Sequence, residues 1–193
     1  MNLPNKLTML RIILVPFFVF FLMAGNSSIF SLLALLFFAV ASLTDMLDGK
    51  IARSRGLITT FGKLMDPLAD KILVMSAMIC FVGLKLAPAW VVIVILTREF
   101  LVTSLRLIAA GEGLVIAADK WGKMKTVTQM IWIIWVLLWL WLASSPLSGL
   151  LSTGFNTVGN IIALVLMYAS VFFTLLSGFN YVWKNRALLF SDM

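Results

Sequence analysis

Four of the eight acidic residues in this chain, Asp45, Asp48, Asp66 and Asp70, fall within one stretch, Thr44 to Lys71. Asp45 and Asp48 stand three apart and Asp66 and Asp70 four apart, so each pair occupies one face of a helix. A hairpin between the pairs can bring four carboxylates together. Such a cluster resists joint ionisation unless a cation sits among it, and the economical reading is a divalent metal site. Oxygen ligands favour Mg²⁺, Mn²⁺ or Ca²⁺; a chain with no histidine and one cysteine, Cys80, argues against zinc or copper. Gly49, Ala52 and Gly62 are small enough for a ligand to approach the backbone, and Arg53 suits phosphate. Metal, small residues and arginine together suggest a bound diphosphate.

The elements that must position these groups are membrane helices. Hydrophobic residues make up 62% of the 193 positions, far above the share in a soluble domain. At roughly 20 apolar residues per crossing, the chain accommodates about six and forms a single membrane domain over residues 1–193. The expected class is therefore an all-α integral membrane protein with six transmembrane helices, near 5–23, 29–52, 61–84, 90–110, 127–143 and 157–183. Leu22 is too large for the position three before a cut after Ala24, so the first helix is expected to stay uncleaved. Residues 111–125 are expected to form a polar loop. Trp132, Trp135, Trp139 and Trp141 suggest an aromatic, lipid-facing surface.

The net charge of +7 first reflects the positive-inside rule and second an anionic ligand or lipid, with no nucleic acid partner expected. With six crossings, Lys85 alone lies opposite the other basic residues, so both termini and the acidic stretch face the cytoplasm. The first helix opens Asn5-x2-Thr8-x2-Arg11, one polar stripe, read either as an interfacial anchor with Arg11 snorkelling or as part of a site. Arg98, Glu99 and Arg106 interrupt the fourth helix. Charges there face a polar cavity or pair with one another, and a structural ion pair of Glu99 with a neighbouring arginine is the competing reading.

The pattern Asp45-x2-Asp48-Gly49-x2-Ala52-Arg53-x8-Gly62-x3-Asp66-x3-Asp70 resembles, at every fixed position, the signature of the CDP-alcohol phosphatidyltransferases. That resemblance implies transfer of a phosphatidyl group from CDP-diacylglycerol, or a related CDP-linked donor, to an alcohol with release of CMP. It implies two divalent ions, Mg²⁺ or Mn²⁺, held by Asp45, Asp48 and Asp66, with Asp66 bridging. It makes Asp70, the last acid of the metal-site motif, the base that deprotonates the acceptor. It puts Gly49, Ala52, Arg53 and Gly62 near the CDP moiety, and Asn5 and Thr8 beside the active site.

Beyond the signature, Thr97-Arg98-Glu99-Phe100 with Arg106, and Gly122-Lys123-x-Lys125-Thr126-x2-Gln129, are similar to the bacterial branch that synthesises phosphatidylglycerophosphate. This implies sn-glycerol 3-phosphate as acceptor, with Arg98, Arg106, Lys123 and Lys125 as ligands for its phosphate. The family also implies a homodimer in the bacterial cytoplasmic membrane. Phosphatidylglycerol, serine and inositol or inositol phosphate are the rival acceptors. A divalent-cation transporter is the reading from another class, since carboxylates also line ion pathways.

Overall fold

The computed structural model describes residues 3–25, 27–55, 60–111, 114, 119–146 and 153–186; side chains at 3–4, 45–64, 66–67 and 153–155 lie outside the description. Six helices result: α1 Leu3–Met23, α2 Ser28–Arg55, α3 Thr60–Gly83, α4 Ala89–Gly111, α5 Lys120–Ser144 and α6 Thr153–Lys184. No strand occurs among the described residues. The helix order is the expected one, with one clear correction. Residues 120–125, expected in a polar loop, form the first turns of α5. Asp119 makes this possible: its carboxylate accepts the Lys120 N–H at 2.8 Å and its carbonyl accepts the Lys123 N–H at 3.2 Å. An acid at this end offsets the unfavourable meeting of lysines with the positive pole of the helix.

Among the described residues, three helices are long and apolar enough to cross a membrane, Asn5–Met23, Lys120–Ser144 and Asn156–Lys184, and the apolar run Ser28–Thr44 in α2 is shorter. The 23 residues of α4 would reach about 34 Å, more than the hydrocarbon core requires, but Arg98, Glu99 and Arg106 interrupt their apolar character.

The chain forms two compact units, Met1–Leu86 with Ile133–Thr157, and Ala87–Trp132 with Val158–Met193. In the first, α1 packs on α2 and α3. Phe18 and Phe38, both fully buried, join α1 to α2 with ring centroids 5.5 Å apart. The outer stripe of α1 is apolar: Leu10, Ile13, Phe17 and Phe20 are exposed, whereas Asn5, Thr8 and Arg11 are buried. A helix facing water would show the opposite arrangement, so the polar-inside pattern supports a lipid surround as strongly as composition does.

In the second unit α4 turns Val91, Ile95, Val102, Leu105 and Ala109 inward, and Ile93, Phe100 and Leu107 outward. The inward residues fall three or four apart, and Arg98 completes their row between Ile95 and Val102. Val102 and Leu105 pack with Tyr181 of α6. α5 runs through both units, and along it Lys125, Gln129 and Trp132 of the second and Val136 and Trp139 of the first form one buried row with the same spacing. Trp132 and Trp139 therefore do not belong to a lipid-facing aromatic surface. Seven residues apart, they share the face that also buries Lys125 and Gln129.

At the end of α3, Lys85 takes a left-handed φ of 60°. The Leu86 N–H bonds to the Phe81 carbonyl at 2.8 Å and the Lys85 N–H to the Val82 carbonyl at 3.0 Å. This is a Schellman closure with lysine where glycine is usual. Replacing Lys85→Gly is expected to stabilise the protein by about 1 kcal/mol, because a side chain opposes this conformation. Thermal unfolding in detergent should show a higher Tm; an unchanged or lower Tm would contradict the assignment.

Candidate functional site

The polar stripe of α1 is fully enclosed. Asn5 is 7% exposed, and Thr8 and Arg11 are 0% exposed, so Arg11 does not snorkel to the interface. A guanidinium buried in a membrane protein requires polar or anionic company. The helices that pack on α1 are those whose chain carries the acidic motif, α2 and α3.

Asp45 and Asp48 lie in the last turns of α2, and Asp66 and Asp70 in the first turns of α3, on either side of one short connection. The expected helix placement of both pairs is thus met in the backbone. Asp70 is exposed on α3. The side chains of Asp45, Asp48, Gly49, Ala52, Arg53, Gly62 and Asp66, and the connection through Gly56, lie outside the described residues. Just before the motif, buried Thr44 donates its hydroxyl to the Ala41 carbonyl at 2.7 Å, which satisfies that polar group within its own helix.

The other candidate residues lie in the second unit. Arg98 and Glu99 are sequence neighbours on α4, about 100° apart around the helix, and such neighbours seldom face each other. Here Glu99 Oε1 accepts from both Arg98 Nη1, at 3.0 Å, and Lys125 Nζ of α5, at 2.6 Å. Arg98 Nη2 also donates to Ser177 Oγ of α6. The ion pair weighed as a purely structural alternative therefore exists, and it includes a second cation. Lys125 is the most enclosed member, its side chain 5% exposed, against 13% for Arg98 and 21% for Glu99.

Two glycines give Arg98 its space. A Cβ at Gly122 would lie 3.3 Å from Arg98 Nη2, and one at Gly178 would lie 3.1 Å from Arg98 Cγ. Arg106 is two turns further along α4, where its Nε donates to the Tyr181 hydroxyl at 3.1 Å and its guanidinium carbon is 5.6 Å from the ring centroid. Lys123 is exposed and about 200° around α5 from Lys125. The four basic candidates thus separate: Arg98 and Lys125 meet at one carboxylate, whereas Arg106 and Lys123 lie elsewhere in the unit.

Sequence reasoning did not single out Ser177, Tyr181 or Asp119. Asp119 accepts from Asn180 Nδ2 and pairs with Lys184 at 3.7 Å, tying the start of α5 to the end of α6. The available signal was the row Ser170, Thr174, Ser177, Tyr181 along α6, all buried and spaced four, three and four.

Residues 1–182 match the family model described as CDP-alcohol phosphatidyltransferase. The chain belongs to this family. Among its curated relatives, the CDP-diacylglycerol--glycerol-3-phosphate 3-phosphatidyltransferase of Bacillus subtilis is 43% identical over 195 residues, covering 95% of each chain. A probable phosphatidylglycerophosphate synthase of Mycobacterium tuberculosis is 41% identical, covering 94% of this chain and 80% of the relative. The Haemophilus influenzae protein that shares the Bacillus protein's name is 35% identical, covering 100% of this chain and 97% of its own.

In this family member the glycine contacts predict a stability effect. Gly178→Ala places a methyl 3.1 Å from Arg98 Cγ and should destabilise by about 1 kcal/mol or more through overpacking. The Tm in detergent should fall, and fall further for Gly178→Val; an unchanged Tm for both would show that Arg98 is not confined as described.

Proposed function

We propose that the chain transfers the phosphatidyl group of CDP-diacylglycerol to sn-glycerol 3-phosphate, giving phosphatidylglycerophosphate and CMP in phospholipid biosynthesis. The observation that carries this reading is the near full-length match to relatives named for that reaction. An acceptor bearing its own phosphate also gives the enclosed cations Arg98 and Lys125 a chemical purpose, which a neutral acceptor does not.

The donor set of the acidic motif suits a divalent ion. Its candidate ligands are all carboxylates, the chain has no histidine, and its one cysteine is buried away from solvent. Asp45, Asp48 and Asp66 would hold two ions, Mg²⁺ or Mn²⁺, with Asp70 completing the acidic set. Bound there, such ions neutralise the diphosphate and the charge that develops on CMP. Gly49, Ala52, Arg53 and Gly62, with Asn5 and Thr8 on the enclosed stripe of α1, bind the CDP moiety. Arg98 and Lys125 hold the acceptor's phosphate, with Arg106 and Lys123 adding positive charge.

Asp70 takes the proton of the acceptor's hydroxyl as its oxygen bonds to the β-phosphorus. The bond from that phosphorus to the bridging oxygen breaks, and CMP departs with the electron pair. Exposure of Asp70 suits a base that exchanges its proton with solvent between turnovers. One multi-pass membrane domain of six crossings, as a homodimer in the bacterial cytoplasmic membrane, would present this site to the cytoplasm, where the basic residues concentrate.

The test is CMP release by the purified protein in detergent with CDP-diacylglycerol and Mg²⁺, offered glycerol 3-phosphate, serine, inositol phosphate or phosphatidylglycerol separately. Turnover is expected with glycerol 3-phosphate alone, and Asp70→Asn should reduce it by about 10² or more. Turnover with another acceptor would overturn the phosphate pocket, and none with any acceptor would overturn the transferase reading.

A further inference from the structure

Glu99 is the only acidic residue in the sequences of α4, α5 and α6. A single oxygen of its carboxylate serves both cations of the proposed phosphate pocket. A phosphate dianion brought to Arg98 and Lys125 would lie close to this carboxylate, and the two like charges repel. Withdrawal of one anion relieves that repulsion.

The geometry indicates which. Arg98 is seated closely: Ser177 accepts from its Nη2, and its guanidinium and side-chain stem occupy the space left at Gly122 and Gly178, where an added Cβ would lie 3.3 and 3.1 Å away. Lys125 lies in the buried row of α5, with the buried Gln129 one turn on. Glu99 is the most exposed of the three and carries the shortest side chain. Arg98 Nε is also buried without a hydrogen-bond partner, so the fixed guanidinium keeps donor capacity in hand.

We propose that Glu99 is a resident counter-ion, a positioning residue that neutralises Lys125 and Arg98 in the free protein and is replaced on them by the phosphate of the acceptor. The inference rests on the reading that this cation pair receives that phosphate. It accounts for a feature that reading alone leaves unexplained, a carboxylate inside an anion pocket. Two enclosed cations without a counter-charge would destabilise the empty protein. A permanent ion pair would block the substrate. A displaceable carboxylate resolves both, and favours dianions, since a monoanion offers no more charge than the group it must replace.

The test uses the purified full-length protein in detergent without CDP-lipid, titrated by calorimetry with inorganic phosphate and separately with glycerol 3-phosphate. Glu99→Gln keeps the size and an acceptor oxygen but removes the competing charge. It should bind both ligands more tightly than the unaltered protein, on the order of tenfold. A residue that merely braced the fold would weaken binding when lost, so the direction separates the two roles.

If E99Q does not fold, the same change is made in a Lys125→Gln background, where the enclosed pair is neutralised as a unit. E99Q/K125Q should then bind phosphate more tightly than K125Q. Equal or weaker binding in whichever comparison can be made, or no measurable phosphate binding by any form, would overturn the proposal. Failure of the acceptor assignment is distinguishable, because it would leave the inorganic phosphate result intact while glycerol 3-phosphate supported no turnover.

Discussion

A charged group inside a bilayer must be paired, hydrogen-bonded or turned toward a polar cavity, because hydrocarbon offers it nothing. That constraint organises each unit of this protein. On α1 it turns Asn5, Thr8 and Arg11 inward and leaves Leu10, Ile13, Phe17 and Phe20 outside. On α4 it sets Arg98 into a row of valine, isoleucine and leucine, and then requires Ser177 and Glu99, itself paired with Lys125, to meet it. The serines and threonine of α6 follow the same logic: Thr174 bonds back to the Ser170 carbonyl at 2.7 Å, and Ser177 receives Arg98. Polar residues on these helices are few and costly, and within each unit they turn inward.

The same constraint made much of the protein legible from its sequence. Long apolar segments separated by short polar turns located six helices, because a segment without water must satisfy its backbone internally. The acidic pairs were readable as helix faces, since spacings of three and four have one geometric meaning in a helix. The start of α5 was not. Lys120, Lys123 and Lys125 resemble a loop until Asp119 is seen to cap them. Trp132 and Trp139 were misread for a related reason: tryptophan abundance suggested lipid, whereas their seven-residue spacing placed them in the row with Lys125 and Gln129.

Long-range partners were the least legible part. Composition could say that Arg98, Glu99 and Arg106 needed company, but not that one oxygen of Glu99 would serve Arg98 and Lys125, or that Arg106 would find Tyr181. Such contacts depend on which helices become neighbours. Glycine offered a clue that only the structure explains, since Gly122 and Gly178 mark where α5 and α6 make room for Arg98. The Schellman closure at Lys85 was hidden likewise, because lysine occupies a backbone conformation that usually announces itself by glycine.

The proposed chemistry places a carboxylate, Asp70, beside a phosphorus under attack, and a carboxylate can act there in two ways. As a base it takes the acceptor's proton, and the phosphatidyl group moves directly from CMP to the acceptor. As a nucleophile it would displace CMP first and carry the phosphatidyl group covalently. Labelled CMP distinguishes these most directly: the protein is incubated with CDP-diacylglycerol, Mg²⁺ and labelled CMP without any acceptor. Direct transfer predicts that no label enters CDP-diacylglycerol until glycerol 3-phosphate or its product is supplied. Label appearing in CDP-diacylglycerol without an acceptor would show a covalent phosphatidyl-protein and contradict the role given to Asp70.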